Sequence, residues 1–313
     1  MFIDTLIEKI QEKNNPSIIG LDPKLEYVPE HIKETEFKEY GVSLKAAAEA
    51  ILKFNRSIID ATYDIVPAVK LQLAYYEMYG LEGLRVFNAT AKYAREKGLL
   101  VIADGKRNDI GSTAEAYSAA YLGRTPLDGE ISEEAFKIDA LTVNPYLGED
   151  GIKPFLNDCR KHGKGIFVLV KTSNRSSGQI QDILTSTGKS MYEIVAELVT
   201  DWGKNLKGKY GYSSVGAVVG ATYPNQAKIL RRILKDTYLL VPGYGVQGGT
   251  ARDVAHSFNC DGLGAIVNAS RSIMCAYQSD MWKTTYDEAH FADASRAEAI
   301  RMRDDINSAI GKG

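Results

Sequence analysis

The feature that most constrains the fold is a series of eight short apolar runs, each followed by a longer amphipathic segment. The runs occupy 17–22, 65–70, 99–104, 140–144, 166–171, 215–220, 238–243 and 264–268. Because they do not alternate with polar residues, each predicts a strand buried on both faces, as in a parallel sheet. Eight such strands with intervening helices predict an α/β fold, a (β/α)8 TIM barrel with insertions and a charged C-terminal helix. An open, doubly wound sheet is the second interpretation, because periodicity does not show whether a sheet closes.

The helical segments carry apolar residues at spacings of three, four and seven. In 44–64 these are Leu44, Ala48, Ile51, Leu52, Ile58 and Ile59, and in 1–13 they are Phe2, Leu6, Ile7 and Ile10. A chain of 313 residues has room for two average domains or for one barrel with insertions. The strand pattern favours the second reading, so we predict a single barrel domain over 1–313.

Composition narrows the choice of partners. A net charge of -2 and a pI near 6.2 provide no overall field that would hold a polyanion, so we expect no nucleic-acid partner. No apolar run reaches the ~20 residues of a membrane span, and the charged segment 1–13 is unlike a cleavable signal. The three cysteines are odd in number and lack metal-ligand spacing, which favours reduced thiols in a cytoplasmic enzyme.

Polar residues follow the predicted strands at their C-terminal ends, where barrel enzymes place their active sites. In chain order they are Asp22, Lys70, Asp104, Lys106, Asn144, 171–174, Thr222, the segment from Pro242 and the segment from Asn268. Burying an unpaired ammonium is very costly. Lys70 is therefore expected to pair with a carboxylate, either Asp104 or Asp22.

The segment "DGKRNDI" concentrates charge directly after a buried strand. A surface salt-bridge cluster is the ordinary interpretation of such a run. Its position favours a site instead, because strand alternation places Asp104 and Lys106 on the same side, facing the barrel mouth. Ser112 and Glu115 resemble a capping box that would begin the next helix.

A glycine-rich loop and an arginine follow the last two predicted strands. Gly243, Gly245, Gly248 and Gly249 lie in "VPGYGVQGGTARDVAH", where glycines allow backbone amides to approach an anion, although such loops are also common as plain turns. Arg271 follows the next strand, and the loops after the last two barrel strands frequently form one phosphate site. A guanidinium binds two phosphate oxygens at once. A solvated surface arginine is the alternative.

Together these residues carry a resemblance. The segment "DGKRNDIGST" resembles the Asp-x-Lys-x-x-Asp-Ile signature of the orotidine 5′-phosphate decarboxylase family, and "VKLQLAYYE" is similar to its longer bacterial subfamily. Related phosphate-binding barrels share part of that signature. Its combination, in order, with "GLDP", Lys70, the glycine loop and "NASR" is more specific and spans nearly the whole chain. The resemblance implies decarboxylation of orotidine 5′-phosphate to UMP and CO2 in pyrimidine biosynthesis, without cofactor or metal.

The resemblance also implies roles for individual residues. Lys70, Asp104, Lys106 and Asp109 match the catalytic network, with Asp109 expected to enter the site of a partner subunit in a homodimer. The matches for substrate binding are Asp22 at the ribose, Thr113 near the ribose and interface, Ser173 at the pyrimidine with Thr172 as the alternative register, and Gly243, Gly245, Gln247 and Arg271 at the phosphate. The glycine loop is shorter than in the fungal branch.

Two other functions fit parts of the pattern. A sugar-phosphate synthase or aldolase on the same barrel would use Mg2+ at the acids, or a Schiff base at Lys70 or Lys171. A non-catalytic nucleotide-binding protein is the other alternative. In the preferred reading, the polar segment 172–182, "TSNRSSGQIQD", is a candidate lid.

Overall fold

Eight parallel strands close into a barrel in the computed structural model, which describes residues 1–245 and 248–312. The barrel strands are β1 (Ser17–Leu21), β2 (Ala68–Gln72), β3 (Leu100–Arg107), β6 (Ala140–Val143), β7 (Gly165–Lys171), β8 (Ser213–Val219), β9 (Thr237–Pro242) and β10 (Ala265–Ala269), while β4 (Thr125–Asp128) and β5 (Ile131–Glu133) form a separate antiparallel hairpin. Each barrel strand pairs with the next in the chain, and β10 pairs with β1. The predicted barrel is confirmed, and the open sheet is wrong.

Helices connect the barrel strands. The α-helices are α1 (Phe2–Glu12), α2 (Glu30–Tyr40), α3 (Leu44–Thr62), α4 (Ala74–Glu77), α5 (Gly80–Glu96), α6 (Gly111–Tyr121), α7 (Lys153–His162), α8 (Gly178–Gln181), α9 (Met191–Gly203), α10 (Pro224–Ile233), α11 (Ala251–Ala255), α12 (Arg271–Met274) and α13 (Phe291–Ala309). The last of these is the predicted C-terminal helix. In the part of the chain covered here, no helix combines the length and apolarity needed to cross a membrane.

The apolar residues form two layers, because successive strand residues point to opposite sides of the sheet. One layer lies between the strands and the surrounding helices and includes Val69 and Val101. The other fills the barrel interior and includes Ile102 and Phe167, and α1 packs against it. The ring of Phe2 in α1 meets the ring of Phe167 edge to face at 6.1 Å. This helix therefore covers the N-terminal end of the barrel and leaves the opposite end for a site.

The pattern of α3 is largely as predicted. Ser43 caps the helix, because its Oγ accepts a hydrogen bond from the backbone N–H of Ala46 at 3.2 Å. Five of the six predicted core residues are buried, and Leu44 is not, with 57% of its surface exposed. It is the first helical residue and lies beyond the edge of the packed face.

Two local predictions differ from the structure. The hairpin of β4 and β5 was not predicted, because its short strands are largely exposed and carry no apolar run. The capping box at Ser112 and Glu115 is wrong. Helix α6 already begins at Gly111, after Ile110, so Ser112 lies inside its first turn and cannot cap it.

Candidate active site

A cavity of about 530 Å³ opens at the C-terminal ends of the barrel strands. Its polar and charged lining comprises Asp22, Lys70, Gln72, Asp104, Lys106, Thr142, Thr172, Ser173, Asn174, Asn268, Ser270, Arg271 and Ser272. The backbone of Gly20 in β1 lies close to this wall, since a Cβ there would be 2.0 Å from the Ser270 Oγ. Absence of a side chain at Gly20 thus allows the loop after β10 to close against β1.

Lys70 is the middle residue of β2, which continues to Gln72, and it points into this cavity. Only 3% of its surface is exposed. Its Nζ lies 3.0 Å from the Asp104 Oδ2 and 3.3 Å from the Asp22 Oδ1. The sequence left Asp104 and Asp22 as alternative partners, and the ammonium contacts both.

Asp104 accepts hydrogen bonds from four side chains. Its Oδ2 accepts from Lys70 and from the Gln72 Nε2 at 2.9 Å. Its Oδ1 accepts from the Lys106 Nζ at 2.7 Å and from the Thr142 Oγ1 at 2.8 Å. Both carboxylate oxygens are therefore held in place, and the carboxylate lies between two ammonium groups.

The charges in this cluster stabilise one another. Burial by itself disfavours the charged form of Lys70, but the carboxylates of Asp104 and Asp22 outweigh it and raise the pKa of Lys70 above its ordinary value. Burial likewise opposes ionisation of Asp104, and the ammonium groups of Lys70 and Lys106 outweigh it and lower the pKa of Asp104. Near neutral pH, Lys70 and Asp104 are therefore both charged.

Lys106 reaches the cavity by a different route from the predicted one. The pairing of β3 with β6 is irregular between Ala103 and Arg107, and Lys106 has a positive φ of 48°. Simple alternation does not hold through this segment. The backbone N–H of Lys106 donates to the Thr142 Oγ1 at 2.9 Å, which fixes the irregular turn. Asp104 and Lys106 share the cavity as predicted, but the turn and not the pleat places Lys106 there.

Sequence reasoning missed Gln72 and Thr142, although both had a signal. Gln72 lies two positions after Lys70 on the same side of β2 and is directly paired in register with Asp104. Thr142 is the polar residue within the apolar run that became β6. A neutral donor next to the charged cluster could have been found by extending the alternation argument to both neighbouring strands.

Beyond the charged cluster, the cavity wall consists first of apolar side chains and then, nearer the mouth, of polar ones. Leu169, Val218 and Leu240 line the cavity from β7, β8 and β9. Above them, Thr172 and Ser173 both line it. The two registers proposed for the pyrimidine contact therefore both remain open by position.

The predicted phosphate residues lie at the other side of the mouth. Gly243 and Arg271 line the cavity. Gly245 follows in the same loop with a φ of 77°, a conformation that favours glycine. Gln247 lies outside the described residues. The helix after this loop, α11, is short and is capped by the side chains of Thr250 and Asp253, so its first turn already has a carboxylate.

Asp109 and Thr113 lie off the cavity wall of their own chain. The Asp109 Oδ1 accepts a hydrogen bond from the backbone N–H of Ile110 at 2.8 Å, at the start of α6. Thr113 is exposed one turn further along that helix. Of the predicted site residues that are described, these two and Gly245 are the ones that do not line the cavity.

The geometry of the cluster disfavours a Schiff base at either lysine. Lys171 is buried behind the cavity wall, and Lys70 is held in its charged form, whereas a Schiff base needs a neutral amine that reaches a carbonyl. Within 1–245 and 248–312 no group of three or more His, Cys, Asp or Glu side chains is placed to hold a metal ion.

Comparison with known proteins agrees with the family resemblance seen in the sequence. A family model described as "Orotidine 5'-phosphate decarboxylase / HUMPS family" matches residues 18–280. The chain is 45% identical to orotidine 5′-phosphate decarboxylase of Caldicellulosiruptor saccharolyticus over 99% of both chains, and 44% identical to that of Clostridium perfringens strain SM101 over 100% of both. The solved structure of Leishmania donovani OMP decarboxylase aligns with a TM-score of 0.75 at 25% identity, covering 100% of this chain and 99% of that one. The chain belongs to this family.

Proposed function

We propose that the protein decarboxylates orotidine 5′-phosphate to UMP and CO2. The observation that carries the proposal is the array of Lys70, Asp104 and Lys106 at the mouth of a barrel of this family, with Asp104 held between the two ammonium groups. The chemistry needs fixed charge at one carbon of the substrate, and this array supplies it. The protein is thus a carboxy-lyase of pyrimidine biosynthesis, and its cytoplasmic location stays a prediction.

The difficult step is the loss of CO2 from C6 of the pyrimidine. The departing carboxyl group leaves its electron pair on C6, where no conjugated group can accept it. A positive charge fixed next to C6 stabilises the carbanion as it forms. Lys106 supplies that charge, because its Nζ is held at 2.7 Å from Asp104 while its side chain stays 44% exposed toward the cavity. The same ammonium then donates its proton to C6.

Asp104 and Lys70 prepare the site for this step. Asp104 orients Lys106 and, in the bound complex, lies beside the substrate carboxylate that leaves. Lys70 compensates the charge of Asp104 from behind, where Gln72 also donates. Because these groups are ordered before substrate arrives, little reorganisation is needed when charge moves.

Other residues hold the ends of the substrate. Arg271, with the loop at Gly243 and Gly245, binds the phosphate, and Asp22 binds ribose hydroxyls. Ser173 or Thr172 binds the pyrimidine from the opposite wall. Binding energy from the phosphate, which does not react, is used to orient the pyrimidine over Lys106.

We also propose a homodimer with shared sites, and the position of Asp109 supports this proposal. It lies off its own cavity, just before α6, near exposed apolar side chains that include Ile110 and Leu147. Exposed apolar patches of this kind typify subunit interfaces. A second opening of about 410 Å³ lies next to Lys106, between the loops after β2 and β3. This opening gives Asp109 of the partner subunit a route to the cluster.

The direct test is turnover of orotidine 5′-phosphate by purified protein in EDTA, followed by the change in near-ultraviolet absorbance of the pyrimidine. We expect full activity in EDTA, and Lys106→Ala should lower kcat by about 10³-fold or more while UMP binding remains. A metal-dependent sugar-phosphate synthase would lose activity in EDTA, and a nucleotide-binding protein without catalysis would show no turnover. Near-normal kcat in Lys106→Ala would refute the proposed mechanism.

A further inference from the structure

Lys171 is a buried ammonium that the proposed chemistry does not use. It is the last residue of β7, and none of its surface is exposed. Its Nζ lies 2.7 Å from the Asp182 Oδ1, donates to the Ser177 Oγ at 3.2 Å and lies 4.5 Å from the centre of the Tyr223 ring. A buried charge with this many partners is costly to remove from water and is held in one place.

An irregularity in the strand pairing explains why Lys171 does not enter the cavity. Leu169 lines the cavity, and regular alternation would place Lys171, two positions later, on the same side. The pairing of β7 with β8 shifts register between these two residues, so that Lys171 pairs with Val219. Val219 belongs to the layer between the strands and the helices. The bulge thus turns Lys171 out of the barrel, beneath the segment 172–182.

The segment above Lys171 is tied together at its two ends. Gln181 accepts a hydrogen bond from the backbone N–H of Thr172 at 3.0 Å and donates to the Thr172 Oγ1 at 2.8 Å. Asp182, the next residue, makes the ion pair with Lys171. The two ends of the candidate lid are therefore tied together through Thr172 and Gln181, and its last residue is tied to the end of β7.

The residue next to this anchor is Ser173, which faces the cavity. Its carbonyl oxygen accepts a hydrogen bond from the Thr222 Oγ1 at 3.1 Å. Its backbone lies against Gly220, where a Cβ would be 2.8 Å from the Ser173 Cα. Ser173 thus sits between the anchored segment on one side and β8 on the other, and a shift of the segment would move it.

We propose that the Lys171–Asp182 ion pair is a positioning element that holds Ser173 at the height of the pyrimidine and so sets the preference for ligands that carry the base. The inference rests on the proposed function, which assigns the base to this wall, and it takes Ser173 as the contact because the Thr172 Oγ1 is bonded to Gln181 and Asn174. Lys171 acts through Ser173 and touches no reacting atom. Its effect therefore falls on recognition of the base and not on the phosphate.

The test compares two ligands that differ in the base. UMP carries both base and phosphate, and ribose 5-phosphate carries the phosphate without the base. Lys171→Met removes the ammonium and leaves Asp182, which is 44% exposed and can be solvated. We expect about tenfold weaker binding of UMP and unchanged binding of ribose 5-phosphate by calorimetry, the size of effect of one misplaced hydrogen bond. Asp182→Asn should give the same selective loss and serves if Lys171→Met does not fold.

A matched control lies at the other end of the same strand. Lys164 directly precedes β7, is 8% exposed, pairs with Glu134 at 3.2 Å and donates to the Ile138 carbonyl at 2.7 Å. Lys164→Met also deletes a buried, paired ammonium, but far from the cavity. It should lower the melting temperature without changing the ratio of the two ligand affinities.

A double-mutant cycle separates positioning from general damage. If Lys171 acts through Ser173, then Lys171→Met combined with Ser173→Ala binds UMP no more weakly than Ser173→Ala alone. Additive losses, or an equal loss for both ligands, would overturn the proposal. Wild-type turnover judges the proposed function separately. If the wild type decarboxylates the substrate but Lys171→Met leaves the ratio of the two ligand affinities unchanged, only the positioning role is refuted. If the wild type neither turns over substrate nor binds UMP, both proposals are refuted.

Discussion

Lys70 and Lys171 have the same signature in the sequence and opposite places in the molecule. Each is the last residue of an apolar run, and each is buried. Lys70 points into the barrel, where it contacts Asp104 and Asp22. Lys171 points away from it and contacts Asp182 in the following loop. One belongs to the charged cluster of the cavity, and the other fixes the loop beside it.

The difference between them is a matter of strand register. The neighbours of Lys70 follow regular pairing from Ala68 to Gln72, so the pleat decides its direction. The pairing of β7 slips between Leu169 and Lys171, which reverses the direction of the lysine. A buried lysine therefore predicts that a carboxylate partner exists. It does not predict which side of the sheet that partner is on.

The sharpest test of this contrast is to replace each lysine by methionine. Lys70→Met removes the charge behind Asp104 and should lower kcat by about 10³-fold, the effect of losing one preorganised electrostatic group. Lys171→Met should leave kcat within about fivefold and raise KM, because its contribution to binding is the same in the ground state and the transition state. Steady-state kinetics with orotidine 5′-phosphate gives both constants.

Melting temperatures show whether both variants are folded under assay conditions. Equal losses of kcat in the two variants would break the contrast, since Lys171 would then share the role of Lys70. Lys164→Met again controls for the loss of a buried ammonium.

The barrel was predictable because burial on both faces leaves a strong signal. All eight apolar runs became barrel strands, although the strand predicted from Ile65 begins at Ala68, after Pro67. The hairpin formed by β4 and β5 was missed since it is exposed and short. Closure of the sheet was inferred from the number of strands, and no single residue encodes it.

The site was predictable as a set of residue types at strand ends, and less so as a geometry. Lys70, Asp104 and Lys106 were brought together as expected. The positive φ of Lys106 and the bulge before Lys171 were not visible, because both depend on hydrogen bonds to residues distant in sequence. The catalytic and binding roles assigned to all of the site residues, including Asp109, Thr113 and Gln247, stay predictions.

A further test separates the charged cluster at Lys70 from the phosphate end of the cavity at Arg271. Arg271→Ala should weaken binding of orotidine 5′-phosphate by about 10²-fold, since a charge-assisted bidentate contact is lost. The nucleoside orotidine has no phosphate, so its binding should change little. Competition binding with UMP and uridine gives the same comparison at equilibrium. Equal effects on both ligands would place Arg271 outside the phosphate site and leave the phosphate end of the cavity without an assigned cation.

A smaller effect concerns the free energy of unfolding in acid. The contribution of the charged cluster depends on pH, whereas that of a hydrogen bond between neutral groups does not. The pKa of Asp104 is lowered in the folded protein, so its ionisation stabilises the fold fully above the unfolded carboxyl pKa of ~3.9, and this contribution is lost as pH falls below that range. The difference between the free energies of unfolding of wild type and Asp104→Asn should therefore shrink by roughly 2 kcal/mol as the pH falls below about 5. Denaturant titrations at several pH values measure this.

The neutral cap of α3 provides the control for that experiment. Ser43→Ala removes a hydrogen bond between groups that do not titrate, so its cost should be similar at every pH. Parallel pH curves for wild type and Asp104→Asn would mean that Asp104 is not held ionised by its lysines. The raised pKa of Lys70 acts in the other direction, because its contribution is present below the unfolded pKa of ~10.4 and is lost as pH rises through the folded value.

The last prediction compares Asp109 with Lys106, because Asp109 lies outside the cavity of its own chain and Lys106 lies inside it. If each site uses Asp109 of the partner subunit, Asp109→Ala and Lys106→Ala proteins, each nearly inactive, should regain activity when mixed and allowed to exchange subunits. In a mixed dimer one site receives both substitutions and the other receives neither. Random pairing places about half of the chains in mixed dimers and so restores roughly one quarter of wild-type sites. Native mass measurement confirms that mixed dimers have formed, and persistent inactivity after that would assign Asp109 to its own subunit or to the interface alone.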